Sequence, residues 1–379
     1  MNESSRPKAR VLFVVTEDWY FLSHRLPMAL AAQRAGYEVH VATQVGRGGA
    51  DIERHGFVLH HQGWHRGSTN PLKMFRVFRA LRRRYREIAP DLVHHVGVQP
   101  SVIGSLAARG LPMRRLNALT GLGFGFVSKS AKARLMRPLL RMLLGRLLRH
   151  ARAAALVQNP DDRAAVLALG VSADKVFVIP GSGVDTDRLT PLPEPEAPFT
   201  LAFVGRMLDD KGVRTIVAAH DILTARGEAV RLLLAGERDP ANPASVGERE
   251  IAAWSSRPGV EMLGHVADIG SVWSRAHVAV LASRREGLPK SLLEAAAFGR
   301  AIVATDVPGC REIARHEVNA LLVPPDDPRA LADAVQVLLR DPDLRRRLAD
   351  AGRRLAEAEF SADRIGRATV ELYERLLSG

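Results

Sequence analysis

A single cysteine, Cys310, stands among 379 residues. No internal disulfide can therefore staple the chain, and a reducing compartment is expected. No apolar run reaches the roughly 18 residues that a membrane-spanning helix requires. The polar stretch Met1–Arg10 has no apolar centre and does not read as a secretory signal. Aromatic residues make up only 5%, and neither zinc-ligand spacing nor an RNP-like aromatic run occurs. A nucleic-acid partner is therefore not expected, despite a sequence pI near 10.7. The phosphate-loop spacing G-x-x-x-x-G-K-[ST] is missing as well. So are acidic residues over the whole stretch between Asp91 and Asp161.

What is present fits a two-domain α/β chain. The length exceeds one ordinary core, and an apolar fraction of 46% excludes disorder. The net charge of +13 is unevenly spread. Residues 1–180 hold 28 basic and 11 acidic groups, and the remainder holds 26 and 30. A basic first half beside a nearly neutral second half points to two tasks, one of them facing a negative surface.

Hydrophobic patterning gives a strand at Val11–Val15, a helix from about Ser23 to Arg34, and strands at Tyr37–Ala42 and Asp91–Val96. A basic helix from about Pro71 to Ile88 lies between the last two. Pro191, Pro193, Pro195 and Pro198 then mark a linker. The alternation restarts with strand Thr200–Val204, helix Val213–Ala225 and strand Arg231–Ala235. It continues through strand His277–Leu281, helix Leu288–Phe298 and strand Ala301–Ala304. This predicts two facing, doubly wound Rossmann-like domains, residues 1–190 and 191–360. A final helix over 361–379 is expected to pack back on the first domain. Ligands of such sheets bind in a crevice at the carboxyl ends of the strands.

Two segments carry the chemistry. In Arg285-Glu286-Gly287-Leu288-Pro289-Lys290-Ser291-Leu292-Leu293-Glu294, two glutamates flank a strand-to-helix turn. Pro289 suits the first helical turn, with Glu294 about one and a half turns in. The free amides of a helix N-terminus suit a diphosphate, and the carboxylates suit sugar and ribose hydroxyls. In Gly205-Arg206-Met207-Leu208-Asp209-Asp210-Lys211-Gly212, directly after a strand, Arg206 can bind phosphate oxygens bidentately and Lys211 as a point charge.

These motifs, in this order, resemble those of the family-4 retaining glycosyltransferases of GT-B architecture. So does the run Ala301-Ile302-Val303-Ala304-Thr305-Asp306-Val307-Pro308-Gly309, as does Ile179-Pro180-Gly181-Ser182-Gly183-Val184-Asp185 between the domains. Phe21-Leu22-Ser23-His24-Arg25-Leu26-Pro27 and Asp91-Leu92-Val93-His94-His95 are similar to members that build bacterial surface polysaccharides such as capsule and O-antigen.

The resemblance implies a donor site of Gly205, Arg206, Lys211, Glu286, Gly287, Leu288, Pro289, Lys290 and Glu294. Arg206 and Lys211 would neutralise the leaving diphosphate, Glu294 would hold the ribose and Glu286 the transferred sugar. His95 completes the catalytic set, substituting for a histidine that relatives carry where this chain has Val96. His94 reads as a packed core residue. Glu17 and His24 are assigned to the acceptor. Retaining members are thought to react on one face, with the donor phosphate helping to deprotonate the acceptor. The implied partners are a nucleotide-diphosphate sugar, UDP-linked by expectation, and a glycan or polyprenyl-diphosphate-linked acceptor. A nucleotide-sugar 2-epimerase shares the architecture and is the better rival by fold; it needs no acceptor. A basic nucleic-acid-binding protein is the other alternative, and would show strongly salt-dependent affinity for DNA without turnover.

No cofactor or metal is expected, since Asp185-Thr186-Asp187 lies between the domains and the basic loop already serves the phosphates. Between Lys129 and Arg152, eight basic residues alternate with leucines and methionines. Arg137, Arg141, Arg146 and Arg149 are therefore expected to contact an anionic membrane. This would place the protein in the cytoplasm, peripheral on the inner face of the plasma membrane.

Overall fold

A computed structural model describes residues 7–64, 70–119, 131–240 and 242–378, apart from the side chains of 131–137. The chain divides into two units, one of residues 1–182 with 362–379, the other of 183–361.

The first unit is built on seven parallel strands: β1 (Arg10–Glu17), β2 (Glu38–Gln44), β3 (Val58–His61), β4 (Leu92–Val96), β5 (Arg114–Ala118), β6 (Ala153–Val157) and β7 (Val176–Val178). Their order is β3-β2-β1-β4-β5-β6-β7. Val11–Val15, all of β4 and all of β6 are buried, as expected of strands covered on both faces. The basic helix runs Pro71–Ile88. Asn70 caps it by accepting from the amides of Leu72 and Lys73, and Pro71 occupies the first turn. Val77, Leu81, Tyr85 and Ile88 form its buried stripe, and its arginines lie on the other faces.

The helix predicted over Ser23–Arg34 is in fact two, Asp18–His24 and Leu26–Arg34. Pro27 has no N–H to return to the Ser23 carbonyl, so the first helix stops at Arg25 and a second begins. The last helix, Ala362–Ser378, lies along Leu26–Arg34 and contributes Ile365, Leu372 and Tyr373 to the core of this unit.

The second unit has six parallel strands: β8 (Phe199–Val204), β9 (Val230–Ala235), β10 (Val260–Gly264), β11 (Val278–Leu281), β12 (Ala301–Thr305) and β13 (Leu321–Val323). Their order is β10-β9-β8-β11-β12-β13. The proline-rich segment read as a linker is instead fastened to this unit, so the boundary falls near residue 182 rather than 190. Three arginines hold it. Arg353 Nη2 donates to the Thr186 carbonyl at 2.8 Å, Arg300 Nη2 donates to the Leu192 and Pro193 carbonyls at 2.9 and 2.8 Å, and Arg345 pairs with Glu194 at 2.7 Å. Backbone carbonyls that a free linker would leave to water are thereby satisfied.

Candidate active site

In the second sheet the strand order reverses between β8 and β11, so the loops leaving their carboxyl ends diverge and open a crevice. The two motif segments are those loops. The β8 loop passes through Gly205 and Arg206 into a single 3-10 turn at Asp209–Lys211, and the helix Val213–Ala225 follows. The β11 loop carries Ser283 to Pro289 into the helix Lys290–Ala297.

Two glycines allow the close approach of these loops. Gly212 has φ +68°, and a Cβ there would lie 1.9 Å from the Ala282 carbonyl oxygen. Gly309 has φ +83°, and a Cβ would lie 2.6 Å from the carbonyl oxygens of both Glu286 and Gly287. Only glycine fits such positions without strain.

The result is that Lys211 Nζ donates to Glu286 Oε1 at 2.6 Å. Ser283 Oγ donates to the same oxygen at 2.6 Å, and the Glu286 amide donates to the Pro308 carbonyl at 3.2 Å. Glu286 is thus fixed from three loops. Arg284 fastens the loops further, donating to Asp209 at 2.5 Å and to Asp326 at 2.9 Å, while its amide donates to the Asp210 carbonyl at 3.0 Å. Arg206 Nη1 donates to Asp239 Oδ2 at 2.5 Å, and its side chain remains partly exposed.

The helix predicted from Leu288 starts at Lys290, with Pro289 as an extended N-cap residue. The residue before a proline is driven out of the helical region, which excludes Leu288. Glu294 is accordingly the fifth helical residue, just over one turn in. No side chain caps this helix. The Leu292 amide already donates to the Pro289 carbonyl at 3.1 Å, so the amides of Lys290 and Ser291 are the ones placed to meet an anion. Burial raises the Glu294 carboxyl above the ordinary carboxylate range, opposed by Lys290, whose Nζ lies 3.3 Å away. Cys310 adjoins the site but is buried. Burial first and the Glu286 charge second push its thiol far up, so it offers no thiolate.

In the first unit the order reverses between β1 and β4. Glu17 ends β1 and accepts from the indole N–H of the half-exposed Trp19. His24 stacks on Tyr20 with centroids 4.3 Å apart, and its Nδ1 meets Ser23 Oγ at 2.6 Å. Between them, the buried Asp18 carboxylate accepts from the amides of Trp19, Gly46 and Gly48 at 2.7, 2.6 and 2.9 Å. It fixes the glycine-rich loop after β2 beside this end of the sheet.

His95 does not reach this surface. It is fully buried, with Nε2 on the Tyr85 hydroxyl and Nδ1 on the Asn117 amide oxygen, both at 2.9 Å. Neither ring nitrogen is left for a substrate, which argues against the catalytic role assigned from sequence. His94 is likewise core: it stacks on Phe13 and meets the Tyr373 hydroxyl at 2.6 Å.

A second basic helix runs Ala131–Leu148, and the side chain of Arg137 lies outside the described residues. Arg141, Arg146 and Arg149 are exposed. Of the leucines expected at a membrane, Leu144, Leu147 and Leu148 are core residues, because they pack against β6 and its neighbours. Leu139 and Met142, 57% and 63% exposed, form the outward apolar face. No helix among the described residues is long and apolar enough to cross a membrane. No group of three or more His, Cys, Asp or Glu side chains suited to a metal occurs among the described residues, and Asp185 accepts from the Arg188 amide at 3.0 Å.

Ser283, Arg284, Asp239 and Asp18 were not singled out from sequence. Position just after a strand was the available signal for Ser283, Arg284 and Asp18. Asp239 needed the strand order, which sets β9 beside β8.

Known proteins show the same division. Residues 10–156 match the family model described as Glycosyl transferase 4-like, and residues 198–341 match that of Glycosyl transferases group 1. The capsular polysaccharide biosynthesis glycosyltransferase CapM of Staphylococcus aureus is 27% identical over 179 residues, 47% of each chain. The N,N'-diacetylbacillosaminyl-diphospho-undecaprenol alpha-1,3-N-acetylgalactosaminyltransferase of Campylobacter jejuni is 24% identical over 82% of this chain and 84% of its own. Anabaena HepE in complex with UDP-glucose superposes with a TM-score of 0.77 at 18% identity, covering 97% of this chain and all of that one.

Proposed function

Since the chain belongs to the group 1, family-4-like glycosyltransferases of GT-B architecture, we propose that it transfers a hexose or N-acetylhexosamine, with retention, from a UDP-sugar to a polyprenyl-diphosphate-linked glycan. The observation that carries this is the Lys211–Glu286 pair at the sheet reversal, with Arg206 and an uncapped helix N-terminus on the same face. The UDP-glucose complex of HepE and the diphospho-undecaprenol-linked acceptor in the Campylobacter relative's name support the choice of donor and acceptor.

As the glycosidic bond breaks, negative charge grows on the β-phosphate. Arg206 and Lys211, already held by Asp239 and Glu286, receive that charge without reorganising, and preorganised cations of this kind lower the barrier most. Glu286 accepts from a hydroxyl of the transferred sugar, and Glu294 from the ribose. The departing phosphate takes the acceptor proton on the same face, so no protein nucleophile is required. Glu17, His24 and the exposed Trp19 serve the acceptor. His95 is left out of this machinery. The setting is assembly of a surface polysaccharide at the inner face of the membrane, with the Ala131–Leu148 helix against anionic lipid.

The test is transfer from a panel of nucleotide sugars to a polyprenyl-diphosphate acceptor, with product anomers assigned by NMR. Inverted product would overturn retention, and turnover of the donor without acceptor to a 2-epimer would replace transfer by epimerisation.

A further inference from the structure

A second concentration of positive charge lies at the opposite ends of the first sheet's strands from Glu17. A cavity of about 570 Å³ opens there between the helices Val98–Ala107 and Ala131–Leu148. Arg109, Arg115, Arg146, Arg149 and His150 line it together with three leucines, and no carboxylate is among the lining residues. Arg115 is the second residue of β5 and His150 precedes β6, so the cavity sits at the amino ends of both strands. Substrates of a doubly wound sheet bind at the carboxyl ends.

Arg115 is only 2% exposed, yet it has no acidic partner among the described residues. Its Nη1 reaches the Ser105 carbonyl at 3.4 Å, its Nη2 meets His150 Nδ1, and its Nε has no hydrogen-bond partner. A guanidinium keeps its charge, so His150 must be neutral to accept from it. Desolvation, then the Arg115 and Arg152 charges, lower the His150 pKa, the direction that favours the neutral ring. A buried cation without a counter-charge, with an orphan donor besides, is costly to fold and calls for an anion. Arg146 and Arg149 stand exposed, and neither forms an ion pair with an acid among the described residues.

We propose that this cavity binds a phosphate group, with Arg115 at its floor and Arg146 and Arg149 at its mouth. Four guanidiniums match a dianion with several acceptor oxygens better than they match a carboxylate. The cavity is many times the ~30 Å³ share of one water, and its leucines give an apolar substituent of the phosphate a wall to lie against. The phosphate can thus belong to a lipid headgroup or to a soluble phosphorylated compound. The site is separate from Lys211 and Glu286 and does not depend on the activity proposed for them.

Calorimetric titration of inorganic phosphate into wild type, Lys211→Ala and Arg146→Ala/Arg149→Ala tests the assignment. The two arginines are exposed, so the double variant keeps its fold. Binding about tenfold weaker in the double variant, but retained in Lys211→Ala, is the expected result. Equal affinity in all three proteins, or loss confined to Lys211→Ala, would overturn it. Co-sedimentation with neutral vesicles doped with phosphatidic acid or with phosphatidylglycerol, matched in charge, separates the sources. If phosphatidic acid is preferred and free phosphate competes with it, the site takes a lipid phosphate. If phosphate binds and vesicles leave that binding unchanged, the site takes a soluble one. Wild type binding neither phosphate nor phosphatidic acid would remove the site.

Discussion

Lys211 Nζ and Glu286 Oε1, 75 positions apart in sequence, lie 2.6 Å apart at the point where the second sheet reverses its strand order. The pair holds a cation and a carboxylate side by side at that reversal, and in the proposed reaction the cation would face the leaving diphosphate. Lys211→Ala and Arg206→Ala should each lower kcat more than they raise donor KM, because the lost contacts strengthen as the bond breaks. A loss of about 2.7–4 kcal/mol in transition-state stabilisation is expected for either, comparable to removing one oxyanion donor. Steady-state kinetics with the preferred sugar nucleotide checks this; unchanged turnover in both variants would sink the leaving-group assignment.

Gly309 makes that geometry possible and can be tested through stability. Its φ of +83° and the 2.6 Å approach to two carbonyl oxygens leave no room for a methyl group. Gly309→Ala should cost at least about 2 kcal/mol, from the left-handed backbone and the displaced Glu286–Gly287 turn together. Urea unfolding measures the loss. Activity should fall in the fraction that remains folded, since Glu286 shifts with its backbone.

Much of this architecture was legible in advance. Pro71–Ile88 and Val213–Ala225 have the predicted limits, because a cap or a left-handed glycine marks each start. The positions of both motif loops at the second sheet's reversal were legible as well, since each follows a buried strand and precedes a helix. What failed depended on partners distant in sequence. Arg300, Arg345 and Arg353 convert an apparent linker into part of the second unit. Tyr85 and Asn117 turn His95 inward. Neither arrangement leaves a local pattern.

Glu294→Ala should weaken UDP binding by about 1.5–3 kcal/mol, the worth of a hydrogen bond to a charged group. Calorimetry with UDP alone isolates the ribose contact from any sugar contact. The same affinity in wild type and variant would take Glu294 out of that role. Glu294→Gln should recover part of the loss, since the amide oxygen still accepts.

His95 gives a pH signature in place of a catalytic one. Burial lowers its pKa from the ordinary 6.5 to about 4, with Arg115 adding to the shift and the Asn117 bond opposing it. Between those values the unfolded chain binds the proton and the native state does not, so stability rises with pH across this window. Acidification from pH 7 towards 4 should therefore destabilise the first unit, and His95→Asn should flatten that part of the slope while lowering stability at pH 7. Urea midpoints against pH read both effects. The variant should keep kcat in its folded fraction; a collapse of kcat at unchanged stability would restore His95 to the active site.

The last prediction concerns the membrane face. In the helix Ala131–Leu148, Leu144, Leu147 and Leu148 are occupied by the core, so membrane contact must use what remains outside. Leu139 and Met142 are the large exposed apolar side chains there, and Arg141 lies between them. An interfacial helix needs both an apolar insertion and a basic face. Leu139→Ser/Met142→Ser should therefore release the protein from phosphatidylglycerol vesicles even though every arginine is kept. Arg141→Glu should release it at low salt through charge alone, over roughly a Debye length of about 10 Å at 0.1 M. Both changes are exposed, so UDP affinity, assigned to the second unit, should be unchanged in each. Leu144→Glu is the contrasting control: it buries a carboxylate in the core and should unfold the first unit, losing vesicle binding together with its cooperative melting transition. Wild-type protein that ignores anionic vesicles at low salt would end the membrane assignment. If the Leu139/Met142 variant stays bound while Arg141→Glu is released, the attraction is to charge alone and the apolar face has another use.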